Sequence, residues 1–164
     1  MESKEAVKHK ERAHMLSRAQ VYADMNSTCA KVKVGSVIIT DTYAIIYGCN
    51  RGIERDCVVE GCRRIAVYGE DSKSHRLPSD CVAVHSEVDA ICQAAKLGIR
   101  LKDSVIYVTR YPCEACARAI VKSGIRKVVY GRKESISEMS AQTFRTGNVE
   151  VIHLDDWEYA DNNS

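Results

Sequence analysis

The chain carries His85-Ser86-Glu87 and, further along, Pro112-Cys113-Glu114-Ala115-Cys116. This pairing of H-x-E with P-C-x-x-C offers three metal donors and one carboxylate that need not bind. A fold that uses the pattern must bring two separated segments to one point. Three protein ligands leave the fourth position of a tetrahedral zinc open to water, whose pKa the metal lowers to roughly 7. His85 and Glu87, two residues apart, point about 200° apart on a helix, so the imidazole can bind metal while Glu87 faces the substrate as a proton shuttle. Cys113 and Cys116 stand at i and i+3 in the first turn of a helix that opens after Pro112, where the dipole and free N–H groups favour thiolate. Taken alone, Cys-x-x-Cys reads as a redox pair or half a zinc knuckle, His85 as a packed histidine and Glu87 as a solvated helix residue. Together they read as a hydrolytic zinc centre.

With 164 residues and 45% hydrophobic content, the chain is expected to form one domain over residues 1–164. The net charge of +2 is dispersed, which is no nucleic-acid footprint. The charged start lacks an apolar leader and no run approaches a membrane span, so the expectation is a cytoplasmic protein with no membrane partner. Eight cysteines in such a chain point to metal rather than disulfides.

Helical spacing predicts a first amphipathic helix over roughly 5–25. Val34–Thr40 and Tyr43–Gly48 read as an antiparallel hairpin, and 49–83 as a long irregular, cysteine-rich insertion. A helix from about His85 to Lys96 places Val88, Ile91, Cys92 and Ala95 on one apolar face and stops at Gly98. Strand Ser104–Thr109, helix Cys113–Lys122 and strand Lys127–Gly131 make a parallel βαβ unit. A helix near Ser135–Phe144 and a strand Val149–His153 follow. The expected fold is α/β: a three-layer α/β/α sandwich with a five-stranded mixed sheet, both zinc motifs lying where loops enter helices at one sheet edge.

On these motifs, together with Ser27-Thr28-Cys29, Val34-Gly35-Ser36-Val37-Ile38, Gly48-Cys49-Asn50-Arg51-Gly52 and Cys57-Val58-Val59-Glu60-Gly61-Cys62, residues 26–131 resemble the deoxycytidylate (dCMP) deaminase family of the cytidine deaminase-like superfamily. The resemblance implies that His85, Cys113 and Cys116 hold a catalytic zinc and that Glu87 moves protons as dCMP is hydrolysed to dUMP and ammonia, the precursor supply for thymidylate. It implies that Asn50 contacts the sugar and that main-chain groups of Ser86 and Cys113 meet the reacting edge of the base. It also implies a homohexamer activated by dCTP, with Mg²⁺ carried by the nucleotide effector, and inhibited by dTTP. Arg51, Arg55 and Lys96 are candidates for phosphate or effector contacts, the bland reading of Lys96 being an ordinary exposed lysine. Three positions depart from the family: Ser86 stands for Ala, Asp89 for Asn and Cys49 for Tyr. A carboxylate at 89 near the substrate would repel a phosphate unless paired, leaving open a modified deoxycytidylate or an unphosphorylated pyrimidine.

Cys57 and Cys62, with Cys29 and Cys81 at positions where relatives carry cysteine, are expected to form a second, closed and structural zinc site, His75 being able to replace one thiolate. The bland reading is free or buried thiols. Cys49 is expected near the substrate and Cys92 in the core. The competing functions are deamination of tRNA adenosine, editing of single-stranded DNA, and a noncatalytic zinc scaffold. The charge balance weighs against nucleic acid, and Glu87 against a scaffold.

Overall fold

A computed structural model of the protein describes residues 3–53, 56–69, 81–133, 136–155 and 157. In chain order the elements are α1 (Lys4–Asn26), β1 (Gly35–Ile39), β2 (Ile45–Cys49), β3 (Arg51–Gly52), α2 (Cys57–Glu60), α3 (Arg63–Tyr68), β4 (Ala83–Val84), α4 (Ser86–Lys96), β5 (Val105–Arg110), α5 (Glu114–Ser123), β6 (Lys127–Arg132), α6 (Glu138–Thr146) and β7 (Glu150–His153). The β-branched runs form the main strands as expected. The insertion is less irregular than its composition suggests, since α2 and α3 form within it and β3 pairs antiparallel with β4 across it.

Five strands make one mixed sheet in the order β2-β1-β5-β6-β7. β1 runs antiparallel to β2 and β5, whereas β6 runs parallel to β5 and β7. Alternation along each strand sends side chains to two faces. Ile106, Val108, Val128 and Tyr130 join Ile38, Ala90, Ala94, Ile120 and Phe144 in one core. Val105, Tyr107, Val129 and Ile152 meet Leu16, Leu154 and Trp157 on the other. Helix α1 covers the second face, while α4, α5 and α6 cover the first, giving the three layers. No helix among the described residues is long and apolar enough to cross a membrane.

The face that α4 buries is not the one its larger apolar residues mark. Ser86, Glu87, Asp89, Ala90 and Ala94 are buried, whereas Cys92 and Ala95 are exposed, so the expectation of a core Cys92 is corrected. The reason is close approach: a Cβ on Gly48 of β2 would lie 2.3 Å from the Ser86 carbonyl oxygen, 2.5 Å from Ala90 N and 2.8 Å from Ala90 Cβ. Only small residues fit between this strand and this helix, and larger apolar side chains are excluded from the contact.

Gly48→Ala is predicted to destabilise the protein by about 1–3 kcal/mol through overpacking against helix backbone. Denaturant unfolding of the two proteins checks it; an unchanged midpoint would mean that α4 yields freely.

Candidate active site

Both donor segments arrive at helix starts. His85 is the N-cap of α4 (φ −70°, ψ 153°) and Cys113 the N-cap of α5 (φ −69°, ψ 171°). Cys113 therefore precedes the first helical turn instead of lying within it, and Cys116 occupies its third position. β4 ends immediately before His85, and β5 ends shortly before Pro112, so the site stands at the carboxyl end of β5, where α/β folds commonly place ligands.

The donor atoms of His85, Cys113 and Cys116 lie within 4.8 Å of one another. His85 Nδ1 is 3.5 Å from each sulfur, and a tetrahedral zinc with ordinary Zn–N and Zn–S bonds needs an N···S edge of about 3.5 Å. The donor set and spacing therefore fit one zinc ion, with Nδ1 as the imidazole donor. His85 and Cys113 are open to solvent and Cys116 is buried.

Protons mark the same point. The hydrogen bond to the Cys113 sulfur, opposed by burial, raises the His85 imidazole to about 9. Cys113 is pulled down to about 3, first by the hydrogen bond from Cys116 and further by that from His85, against burial. Cys116, donating to Cys113, buried and beside Glu87, is held as the thiol. Burial likewise raises the Glu87 carboxyl, which is only 4% exposed and accepts a 3.1 Å hydrogen bond from Ser86 Oγ. The site thus contains a carboxyl predisposed to hold a proton beside three metal donors.

Asn50 follows β2, between Gly48 packed on Ser86 and Arg51 paired with Val84. Its Oδ1 accepts from Val34 N (2.9 Å) and the Ser27 hydroxyl (2.7 Å), and its Nδ2 donates to Val32 O (2.7 Å). One Nδ2 hydrogen remains for another acceptor. Thr28 Oγ1 accepts from Gly52 N at 2.8 Å and Arg51 reaches Asn26 O at 3.4 Å, so residues 26–28 are stitched to 50–52 along one wall. The Ser86 carbonyl accepts from Ser36 Oγ (2.7 Å) and, as the first carbonyl inside α4, also faces the Ala90 N–H of the next turn.

Asp89 does not stand unpaired before the substrate. Its Oδ2 accepts from Cys49 N (3.0 Å) and its Oδ1 from Gln93 Nε2 (3.3 Å), and Arg51 interacts with its charge. Both carboxylate oxygens are thus hydrogen-bonded within the fold. Sequence spacing assigns no role to Ser27, Thr28 or Ser36, although each lies in a motif that carries the resemblance, and reads Asp89 only as a charge near the substrate.

The other candidates do not converge. Among the described residues, the one group of three or more possible metal donors is His85, Cys113 and Cys116. The expected four-thiolate site of Cys29, Cys57, Cys62 and Cys81 is not such a group: Cys57 is buried in α2 while Cys62 serves as the N-cap of α3. His75 and Arg55 lie outside the described residues. Arg51 is near the start of α4 and the exposed Lys96 ends it, about 15 Å apart along the helix.

Zinc titration of metal-free protein is predicted to end at one ion per chain and to require Cys113. At neutral pH uptake releases one proton from His85 and one from Cys116. Each competing proton makes affinity rise about tenfold per pH unit until its pKa is passed, which for His85 is about 9. Proton release measured with an indicator checks this; two zinc ions per chain would restore the four-thiolate expectation.

The chain matches the model of the MafB19-like deaminase family over residues 8–155. It is 32% identical to ComE operon protein 2 of Bacillus subtilis over 136 residues, 80% of this chain and 66% of that protein, and so spans just under two thirds of that relative's length. It is 35% identical to the deoxycytidylate deaminase of Mycobacterium phage D29 over 114 residues, 68% of this chain and 87% of that enzyme. A tRNA-specific adenosine deaminase of Haemophilus influenzae is 30% identical over 122 residues, 73% of this chain and 57% of that protein. The dCMP deaminase from the cyanophage S-TIM5 in apo form superposes with a TM-score of 0.63 at 18% identity, covering 88% of this chain and 97% of that one, which establishes a shared fold. Matching family residues, layer order and donor geometry agree: the chain belongs to the MafB19-like deaminase family and has the cytidine deaminase-like fold.

Proposed function

We propose that the protein catalyses hydrolytic deamination of dCMP to dUMP and ammonia, supplying dUMP for thymidylate synthesis. The observation that carries this reading is the buried carboxyl of Glu87 beside the His85, Cys113 and Cys116 donors, whose N···S separations of 3.5 Å suit zinc. The phage relative named for this activity adds support for the substrate.

His85 Nδ1 and the two sulfurs would hold zinc, which lowers the pKa of water and so supplies a nucleophile at neutral pH. Glu87 takes a proton from the attacking water, gives it to N3 of the cytosine as C4 is attacked, and passes a proton to the departing amino group. Its raised affinity for a proton suits both directions of transfer. Main-chain groups of Ser86 and Cys113 meet the reacting edge of the base, and the remaining Asn50 Nδ2 hydrogen can reach a sugar hydroxyl. The balance is dCMP plus water to dUMP plus ammonia.

The same resemblance supports assembly as a homohexamer with dCTP·Mg²⁺ activating and dTTP inhibiting, and action in the cytoplasm. Arg51, in the wall beside His85, is the better placed effector or phosphate candidate; Lys96, at the far end of α4, would have to serve a different pocket. The tRNA adenosine reading draws on one relative, while the dispersed net charge of +2 weighs against a nucleic-acid surface.

Incubation of the zinc-loaded protein with dCMP, with and without dCTP·Mg²⁺, is predicted to give dUMP by chromatography. Glu87→Gln should lower the rate by about 10² to 10⁴ while retaining zinc. Absence of dUMP under both conditions, or an undiminished Glu87→Gln rate, would overturn the proposal, and conversion of tRNA adenosine or free cytosine in its place would reassign the substrate.

A further inference from the structure

We propose that Asp89 is a positioning residue, whose carboxylate holds the Cys49 N–H at the open edge of the sheet and thereby sets where Asn50 stands relative to Glu87. The inference rests on the reading of Asn50 as a substrate contact. β2 is the outermost strand of its sheet, and the outward N–H groups of an edge strand have no strand partner. At the last residue of β2 that donor is taken by Asp89 Oδ2 at 3.0 Å, in a buried setting. Gln93, one turn further along α4, donates to the other carboxylate oxygen at 3.3 Å, so the carboxylate is anchored at both ends.

Asp89 and Glu87 lie two residues apart near the start of α4. The bond therefore ties the helix that carries Glu87 to the peptide that leads directly into Asn50. Packing of Gly48 against Ser86 and Ala90 brings the same elements together but has no directional preference. A hydrogen bond to an ionised acceptor has one, and is stronger than its neutral counterpart. On its far side Asn50 is fixed by Ser27, Val32 and Val34, so Asp89 completes the fixation from the helix side. Asparagine at 89 retains an acceptor oxygen; leucine has similar bulk and none.

The test uses the full zinc-loaded chain with Asp89→Asn, Asp89→Leu, Asn50→Ala and the Asn50→Ala/Asp89→Leu double variant. In hydrogen exchange, the amides of residues 49–52 should exchange about tenfold faster or more in Asp89→Leu, and within about threefold of the parent in Asp89→Asn. With dCMP, Asp89→Leu should raise KM about tenfold with kcat changed less than about threefold, and should add nothing further in the Asn50→Ala background. A merely structural Asp89 would give independent, multiplying effects of the two substitutions. That result, or unchanged exchange in Asp89→Leu, would overturn the proposal. Should Asp89→Leu not fold, Gln93→Leu removes the second anchor and should move exchange in the same direction. A parent inactive on dCMP discards the substrate reading, and exchange alone then decides whether Asp89 holds the edge.

Discussion

The meeting of two helix starts is the constraint on which the rest of this molecule depends. His85 caps α4 and Cys113 caps α5, and three donors from these segments come within 4.8 Å only if both helices begin at the same end of the sheet. Parallel pairing of β5 with β6 through α5 fixes one start. The other is fixed by contact between Gly48 and the Ser86–Ala90 segment, where the absence of a side chain on the strand lets helix backbone approach.

Around that point the polar groups answer to packing as well as to chemistry. Buried side chains need partners, and here the partners come from neighbouring elements: Ser86 donates to Glu87, Ser36 donates to Ser86, and Asn50 binds three residues of the α1–β1 connection through one amide. The result is an arrangement in which a proton-holding carboxyl stands beside metal donors and the adjoining segments are tied together by short hydrogen bonds. Such fixation reduces the reorganisation that a reaction at this point would need.

Much of the fold was legible because long β-branched runs and helical spacings declare themselves locally. β1, β2, β5 and β6 and the helices α1, α4 and α5 fall within a few residues of where those patterns place them. The donor set was legible because spacing alone is specific when two motifs coincide. The buried face of α4 was not, since large apolar residues outweigh Ala90 and Ala94 in any hydrophobic pattern, whereas close approach to Gly48 favours the small ones. Asp89 was read by charge, but its partner is a backbone N–H 40 residues away in sequence, and no spacing rule carries such a contact. The β3–β4 pair spans only two residues on each side, too short to show a period, and cysteine content alone suggested a metal cluster that the described residues do not assemble.

One imidazole and two thiolates around a zinc, with a position left for substrate chemistry, can be seen by X-ray absorption at the zinc edge of the loaded protein. An average shell of two sulfurs at about 2.3 Å and two nitrogen or oxygen neighbours at about 2.0 Å is expected. Three or more sulfurs per zinc would contradict it, placing the metal among other cysteines and leaving Glu87 without the partner that gives its buried proton a use.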